Sequence, residues 1–363
     1  MQTDVLVVGG GIIGASIVRG LAEAGLSVLL IDTLRPGLGA TAYSGAMVRL
    51  THPSSAEIAA AGEGLAAFCS FAAESSGRLA LTQCGHLYFG AAAALGPLLP
   101  QVQAISAEAR IMTANEIAEA WPGLDTTAEA ALFEPGAGYA DPVASTRHQI
   151  AMAAAAGARV AEATQLEHFW LSDGRIRGAM TSLGRIEARA VVLSAGPFSA
   201  ALLERDGLAT PSLWSQKIQV SRFAIRSQVA AWPGFVDDSR GLNGVPGGDN
   251  RIYHLGLTTG LRTPPGGASH IATPDHAART IEVVRNLIPD VASAEFMGAM
   301  CHTDCYGTAP IGAIGPQPDL PDGLLLATGF SGGGFKMAPH AARRIVEYLA
   351  CPSGQPSSKR PML

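Results

Sequence analysis

The most constraining feature of this chain is a glycine spacing near its start, Gly9-x-Gly11-x-x-Gly14. It lies between an apolar run, Val5–Val8, and a helical pattern from Ile12 to Ala24 that stops at Gly25. In a strand–turn–helix unit the first glycine permits a tight turn. The second lets a pyrophosphate approach the backbone, and the third lets helix and strand pack closely. Phosphate then meets a helix N-terminus, with its free N–H groups and partial positive charge. A second strand, Val28–Ile31, ends at Asp32, whose carboxylate can accept hydrogen bonds from an adenosine ribose and repels a 2′-phosphate. A glycine turn without a nucleotide needs neither the flanking strands nor the acid. The pattern therefore predicts a dinucleotide site that uses Gly9, Gly11, Ile12, Gly14 and Asp32.

Later segments bear on which dinucleotide it is. Arg35 to Gly45 reads as an extended loop, and its part Gly39–Gly45, with Thr41 and Ser44, supplies a close-approach segment that a long flavin-bearing cofactor needs. A strand, Ala190–Leu193, runs into Ser194-Ala195-Gly196-Pro197. The end of the chain repeats strand, glycine turn and helix: Leu324–Ala327, then Gly329-Phe330-Ser331-Gly332-Gly333-Gly334-Phe335-Lys336. Such a turn aims helix amides at a group that gains negative charge, as reduced flavin does around N1 and the C2 carbonyl. Lys336 is disfavoured beside a helix N-terminus, by ~0.3–1 kcal/mol. An anionic ligand removes that conflict; a lysine pointing into water is the alternative. FAD is the expected cofactor.

Composition limits the rest. Hydrophobic residues make up 48% and charged residues 15% of 363, which suits a compact protein with ample core. The net charge of −5, without a run of like charges, gives no footprint for nucleic acid. The apolar stretch Leu87 to Ala107 is broken by Gly96-Pro97 and Pro100, so no membrane span is expected there. The opening residues lack the basic start and cleavage site of a signal peptide. Five cysteines in a chain this long make no disulfide framework, and a reducing cytoplasm is the expected location. Cys301 and Cys305 are spaced C-x3-C without a second pair, so no metal site is expected. The sequence shows no G-x-S-x-G, P-loop or HExxH.

Between the two glycine turns, helices are expected at Ala56–Ala73, Thr113–Ala120 and Val143–Ala156. Strands are expected at His86–Phe89, Arg159–Ala161, Leu166–Leu171, Arg175–Thr181 and Gln216–Ile225. Asp237–Pro265, rich in Gly and Pro, reads as loop. The fold class is α/β plus α+β: a discontinuous, Rossmann-like FAD-binding domain with an inserted antiparallel-sheet substrate domain. The expected division is 1–84, 141–206 and 301–350 for the cofactor, 85–140 and 207–300 for the substrate, and a tail at 351–363.

Gly9–Gly14, Asp32, Thr41–Arg49, Ser194–Gly196 and Gly329–Lys336 together resemble the D-amino-acid-oxidase-like flavoprotein superfamily. The final motif is most similar to monomeric sarcosine oxidase and glycine oxidase relatives. The similarity is specific at the two ends and loose in the middle. It implies oxidation of an amine C–N bond by hydride transfer to flavin N5, with O2 as the usual acceptor. It also implies that Lys336 binds a substrate carboxylate, a role shared by an arginine after the second loop. Arg49 matches that arginine with spacing shifted by a few residues; a surface or phosphate-loop cation is the alternative. Leu166 matches a position that contacts adenine through its backbone. Cys301 falls within one residue of a cysteine that in some relatives holds FAD covalently, although the tyrosine expected two residues later is Thr303; an inert buried thiol is the alternative. The lysine that oxidases place over the flavin has no counterpart in Asn250–Gly256, where Arg251 or His254 could substitute; His254 as a plain strand residue is the alternative.

The functional expectation is an FAD enzyme oxidising a small amine or amino acid. Its rivals are a dehydrogenase for an amino acid or 2-hydroxy acid that passes electrons to a quinone or protein, and a flavin-bearing subunit of a heteromeric complex. An NAD-dependent dehydrogenase is a more distant rival.

Overall fold

The computed structural model describes residues 1–124, 130–224, 232–247, 252–266, 270–285, 287–288 and 294–350. The first half runs β1 (Gln2–Val8), α1 (Ile12–Glu23), β2 (Val28–Ile31), β3 (Met47–Val48), α2 (Ser55–Glu74), β4 (His86–Gly90), α3 (Ala92–Leu95), α4 (Leu99–Gln103), β5 (Arg110–Thr113), α5 (Ala114–Ala120), β6 (Ala130–Glu134), β7 (Gly138–Tyr139) and α6 (Pro142–Ala155). The second half runs β8 (Arg159–Ala161), β9 (Leu166–Ser172), β10 (Arg175–Thr181), β11 (Gly184–Leu193), α7 (Ser199–Arg205), β12 (Leu213–Ala224), β13 (Gly234–Asp237), β14 (Leu242–Pro246), β15 (Ile252–Leu257), α8 (Pro274–Arg285), β16 (Glu295–Gly307), β17 (Ala313–Pro316), β18 (Leu324–Thr328) and α9 (Gly334–Ala350).

The first sheet has the order β17-β18-β11-β1-β2-β8, and the chain from β18 to β8 is parallel. Its central strands are continuous apolar runs because both faces are covered, one by helices and the other by β9, β10 and α7: Val5, Leu6 and Val7 are fully buried. On one face Val5, Val7, Leu30 and Val192 pack with Ile17, Val18 and Leu21 of α1 and Ile345 of α9. Each such side chain is worth ~1.5–3 kcal/mol on burial. From β1 the chain moves outward to β2 and β8, and on the other side β11 leads to β18. The order reverses between β1 and β11, which makes that gap the switch point where ligands bind in open α/β sheets.

The second sheet has the order β16-β12-β15-β14-β13-β4-β6-β5 and is antiparallel except between β4 and β13. One face is apolar: Leu87, Phe89, Phe133, Phe223, Phe235 and Leu255 pack with Ile117 of α5 and Val284 of α8. The registers Glu134–His86, Gly234–His86, Val245–His254 and Arg222–His254 place polar side chains on the other face. β14 and β15 correct the loop reading of Asp237–Pro265. The glycines there mark tight packing: a Cβ on Gly244 would lie 2.4 Å from the Phe235 ring. α8, which the sequence reading did not foresee, closes the apolar face.

Among the described residues, α2 is the one helix long and apolar enough to cross a membrane. Its buried side, Ile58, Ala60, Ala61, Gly64, Phe68 and Phe71, is covered within the protein. The stretch from Leu87 to Ala107 forms β4 and the short α3 and α4.

Candidate active site

The ends of four parallel strands gather the first group of site residues. β2 ends at Asp32, β1 at Gly9, β11 at Ser194 and β18 at Gly329. From β2 to β18 is three strand spacings, about 14 Å. Gly9, at φ +107°, lies against the end of β11: a Cβ there would be 2.4 Å from the Ser194 carbonyl oxygen. A Cβ on Gly14 would be 1.9 Å from the Gly9 carbonyl oxygen. These two glycines are required by backbone contact. The Ser194 hydroxyl donates to the Val8 and Gly9 carbonyls at 3.0 Å each, which fixes the turn.

α1 begins without a side-chain cap and without an acid in its first turn, which leaves its N-terminal charge for an anion. Thr41 accepts from the Ile12 amide at 3.1 Å and so brings the second loop against this turn. Ser44 accepts from the Ala46 amide at 3.0 Å and shapes the same loop. Asp32 accepts from Gly10 N at 2.5 Å and from Leu34 N at 2.7 Å, and burial raises its pKa. Beside it Thr164 N donates to the Asp32 carbonyl at 2.8 Å. Leu166 follows two residues on, at the start of β9, and its carbonyl accepts from Arg205 at 3.0 Å.

The C-terminal turn converges on the same edge. A Cβ on Gly334 would lie 3.9 Å from Ile13 in the first turn of α1, so the N-termini of α1 and α9 stand side by side. Gly329 and Gly332 adopt φ +79° and +83°, which glycine tolerates. Gly333 N bonds the Phe330 carbonyl at 2.9 Å, and Phe335 packs among Ile12, Val48 and Phe68. Ala195 and Gly196 form the start of a 3-10 turn between the two glycine hairpins, and the Gly196 carbonyl accepts from Thr328. One anchor was not read from the sequence. Asp304 of β16 accepts from Gly332 N at 3.1 Å and from Cys305 N at 2.8 Å, and burial raises its pKa. The cradle of close-approach glycines, uncapped helix start and ribose-facing acid fits FAD.

Cys301 pairs with Gln219 across β12 and β16, on the face opposite His302, and Lys217 lies against its sulfur. Burial raises its thiol pKa. His302 is the neighbour that faces the cofactor segments: its ring lies tilted against Tyr43, 4.6 Å between centroids, and stacks on His270 at 4.1 Å.

The second group lies on the polar face of the antiparallel sheet. Arg49 and Lys336 are both buried, at 6% and 4% exposure, which rules out the solvent-facing alternatives for both. Arg49 sits over the Tyr88 ring, 5.5 Å from its centroid, and its Nε and Nη1 have no hydrogen-bond partner. Neither side chain forms a hydrogen bond or ion pair among the described residues. The nearby acids are already engaged. Glu134 accepts from Leu50 N at 2.6 Å and from Thr51 N at 2.8 Å, Asp238 from the Tyr88 hydroxyl at 2.6 Å, and Glu57 from Ser54 at 2.7 Å. Burial and then repulsion by Arg49 lower the Lys336 pKa to about 7, against the pull of those acids.

His52 and His86, also buried, complete this pocket and were missed in the sequence. Burial first, then Arg49 and Lys336, lower both imidazole pKa values, so both rings are neutral. His52 Nε2 and both nitrogens of His86 lack partners. No local pattern marks them, because their burial depends on β4 meeting the segment after β3. His254 lies on β15 opposite Arg222, and burial followed by Arg222 lowers its pKa. Its neutral ring supplies no positive charge; Arg222, on the same face, does. Arg251 lies outside the described residues.

Residues 4–348 match the protein family described as FAD dependent oxidoreductase. A glycine oxidase of Pseudomonas aeruginosa is 26% identical over 96% of this chain and 95% of its own length. A D-amino acid dehydrogenase of Rhizobium johnstonii is 30% identical over 57% of this chain and 47% of its own. L-proline dehydrogenase from P. horikoshii superposes with a TM-score of 0.85 at 22% identity, over 96% of this chain and 93% of that one. Glycine oxidase from Geobacillus kaustophilus gives 0.79 at 22% identity, over 96% and 94%. The uncapped helix start, the glycine cradle and this near full-length match agree: the chain belongs to the family of FAD-dependent oxidoreductases.

Proposed function

We propose that this enzyme oxidises the C–N bond of a small amino acid whose carboxylate is held by Arg49 and Lys336. The observation that carries the reading is the pair of buried cations without an acidic hydrogen-bonding partner. An unpaired buried charge costs several kcal/mol, and a bound carboxylate supplies the missing acceptors. The planar Arg49 fork suits two carboxylate oxygens. Glycine oxidase, D-amino acid dehydrogenase and L-proline dehydrogenase among its relatives support an amino acid as the substrate class.

In this reading residues 1–84, 141–206 and 301–350 serve the cofactor, and 85–140 and 207–300 serve the substrate, with β16 belonging to the second sheet up to Gly307. Gly9–Gly14 and the start of α1 would hold the pyrophosphate, Asp32 the ribose, and Gly329–Gly334 the flavin. Bound FAD would supply a two-electron acceptor for the hydride on the substrate carbon that bears nitrogen; the neutral amine would be left as an iminium, which gives a proton to water and is hydrolysed. Arg49 and Lys336 hold the carboxylate so that this C–H faces the cofactor edge. The neutral rings of His52 and His86 offer further hydrogen bonds without competing for the anion. Cys301 faces away from Tyr43 and His302, which supports FAD held without a covalent bond.

The test is anaerobic bleaching of the flavin by glycine, sarcosine, D-alanine and L-proline. Lys336→Met is expected to raise KM for the best of these by at least tenfold. Unchanged kinetics remove Lys336 from the site. A second reading has a quinone or protein acceptor in place of O2, and the D-amino acid dehydrogenase and L-proline dehydrogenase among its relatives support it. Hydrogen peroxide formed in stoichiometric amount under air decides for the oxidase.

A further inference from the structure

α2 contains two glycines, Gly62 and Gly64, within twenty helical residues. An interior glycine weakens a helix relative to alanine, so each invites a structural reason. A Cβ on Gly62 would meet the tip of Ile105 at 2.8 Å, the end of a flexible side chain. A Cβ on Gly64 would meet the Lys336 carbonyl oxygen at 1.9 Å, its carbon at 3.0 Å and its Cα at 3.4 Å. At Gly64 two helices therefore touch backbone to backbone, at the residue that carries the pocket ammonium.

The surrounding contacts brace the same turn of α9. The Phe68 ring stacks on Phe335 at 4.6 Å. Glu63, next to Gly64, accepts from Arg343 Nε and Nη2 at 2.8 Å each and contacts His340 Nδ1 at 2.9 Å. Ala60 and Ala61 pack with Met337 and Ala341. Pro339 lies inside α9 and has no N–H to give to the Phe335 carbonyl. The first turn of α9 thus lacks one bond of its own ladder and is braced by α2.

We infer that Gly64 is a positioning residue, which sets the height at which Lys336 enters the pocket it shares with Arg49. This rests on the reading of Lys336 as the carboxylate partner. An ordinary Cβ contact begins at 3.4 Å, so a methyl group at residue 64 must part the helices by more than an ångström or turn the start of α9. A misplacement of about 1 Å at a binding group can cost up to ~10²-fold.

The experiment compares Gly64→Ala, Gly62→Ala and Lys336→Met, each purified with flavin. The readouts are KM and kcat for the best amino acid of the panel, and the affinity for acetate by calorimetry. Gly64→Ala is expected to keep its flavin spectrum, to raise KM tenfold or more with a smaller change in kcat, and to weaken acetate in parallel. Gly62→Ala is expected to leave KM and acetate affinity at the wild-type values. If Lys336→Met raises both constants and Gly64→Ala changes neither, the inference about Gly64 is wrong and the role of Lys336 stands. If Lys336→Met changes neither, the role of Lys336 fails and the inference falls with it. Should Gly64→Ala not fold, Phe68→Leu loosens the same turn and is expected to raise KM and weaken acetate to a lesser degree; unchanged values then overturn the inference.

Discussion

Lys336 shows how a single residue couples charge to function. Its pKa is lowered to about 7 by burial first and by Arg49 second. In the free enzyme the ammonium is present below that value and is lost as pH rises through it. KM for a carboxylate substrate is therefore expected to rise above about pH 7, by up to about tenfold per pH step until the unassisted Arg49 sets the limit. Lys336→Met should abolish this rise, and a KM profile against pH checks it. The stability effect has the opposite sense. The folded pKa lies below the unfolded value, so between the two the unfolded chain binds the extra proton and stability increases with pH. The glycines, Asp32 and Lys336 were legible in the sequence because their chemistry follows from local spacing. His52, His86 and Asp304 were not, because a buried polar group is defined by chain that meets it from far away.

At the scale of elements, period and register decide what a residue faces. Strand alternation puts neighbours on opposite faces, so an error of one position exchanges them. Cys301, offered for a covalent flavin link, pairs with Gln219, and alternation puts it on the face opposite His302, whose ring lies against Tyr43. Cys301→Ser is accordingly expected to keep full flavin, and acid precipitation of either protein should leave the colour in the supernatant. A yellow pellet from wild type and a colourless one from the variant would reinstate the thiol link. The glycines of β13–β15 misled the reading of 237–265 for a related reason. In sequence Gly244 and Gly256 look like turn residues, whereas in the sheet they make room for Phe235 and Asn243.

At the scale of the molecule, the two-sheet architecture was legible and the wall of the pocket was not. Alternating apolar runs announce a sheet, but which polar residues line its inner face depends on seven registers at once. The cofactor segments span most of the chain, from Gly9–Gly14 through Ser194–Gly196 to Gly329–Gly334, and they meet on one sheet edge. Adding FAD to the apoprotein is therefore expected to slow hydrogen exchange in all three segments together, which mass spectrometry can follow peptide by peptide. Protection confined to the N-terminal turn would mean that the cofactor does not extend to α9.

The position of β18 has a consequence for biosynthesis. β18 pairs with β11 in the first sheet, and α9 follows it among the described elements. During translation the half-built sheet lacks that strand, so a ribosome-bound chain has the adenosine cradle long before it has the flavin cradle. Vitamin supply therefore acts after β18 has been made, and protein from riboflavin-starved cells should accumulate as a colourless precursor that turns yellow when the cofactor is restored.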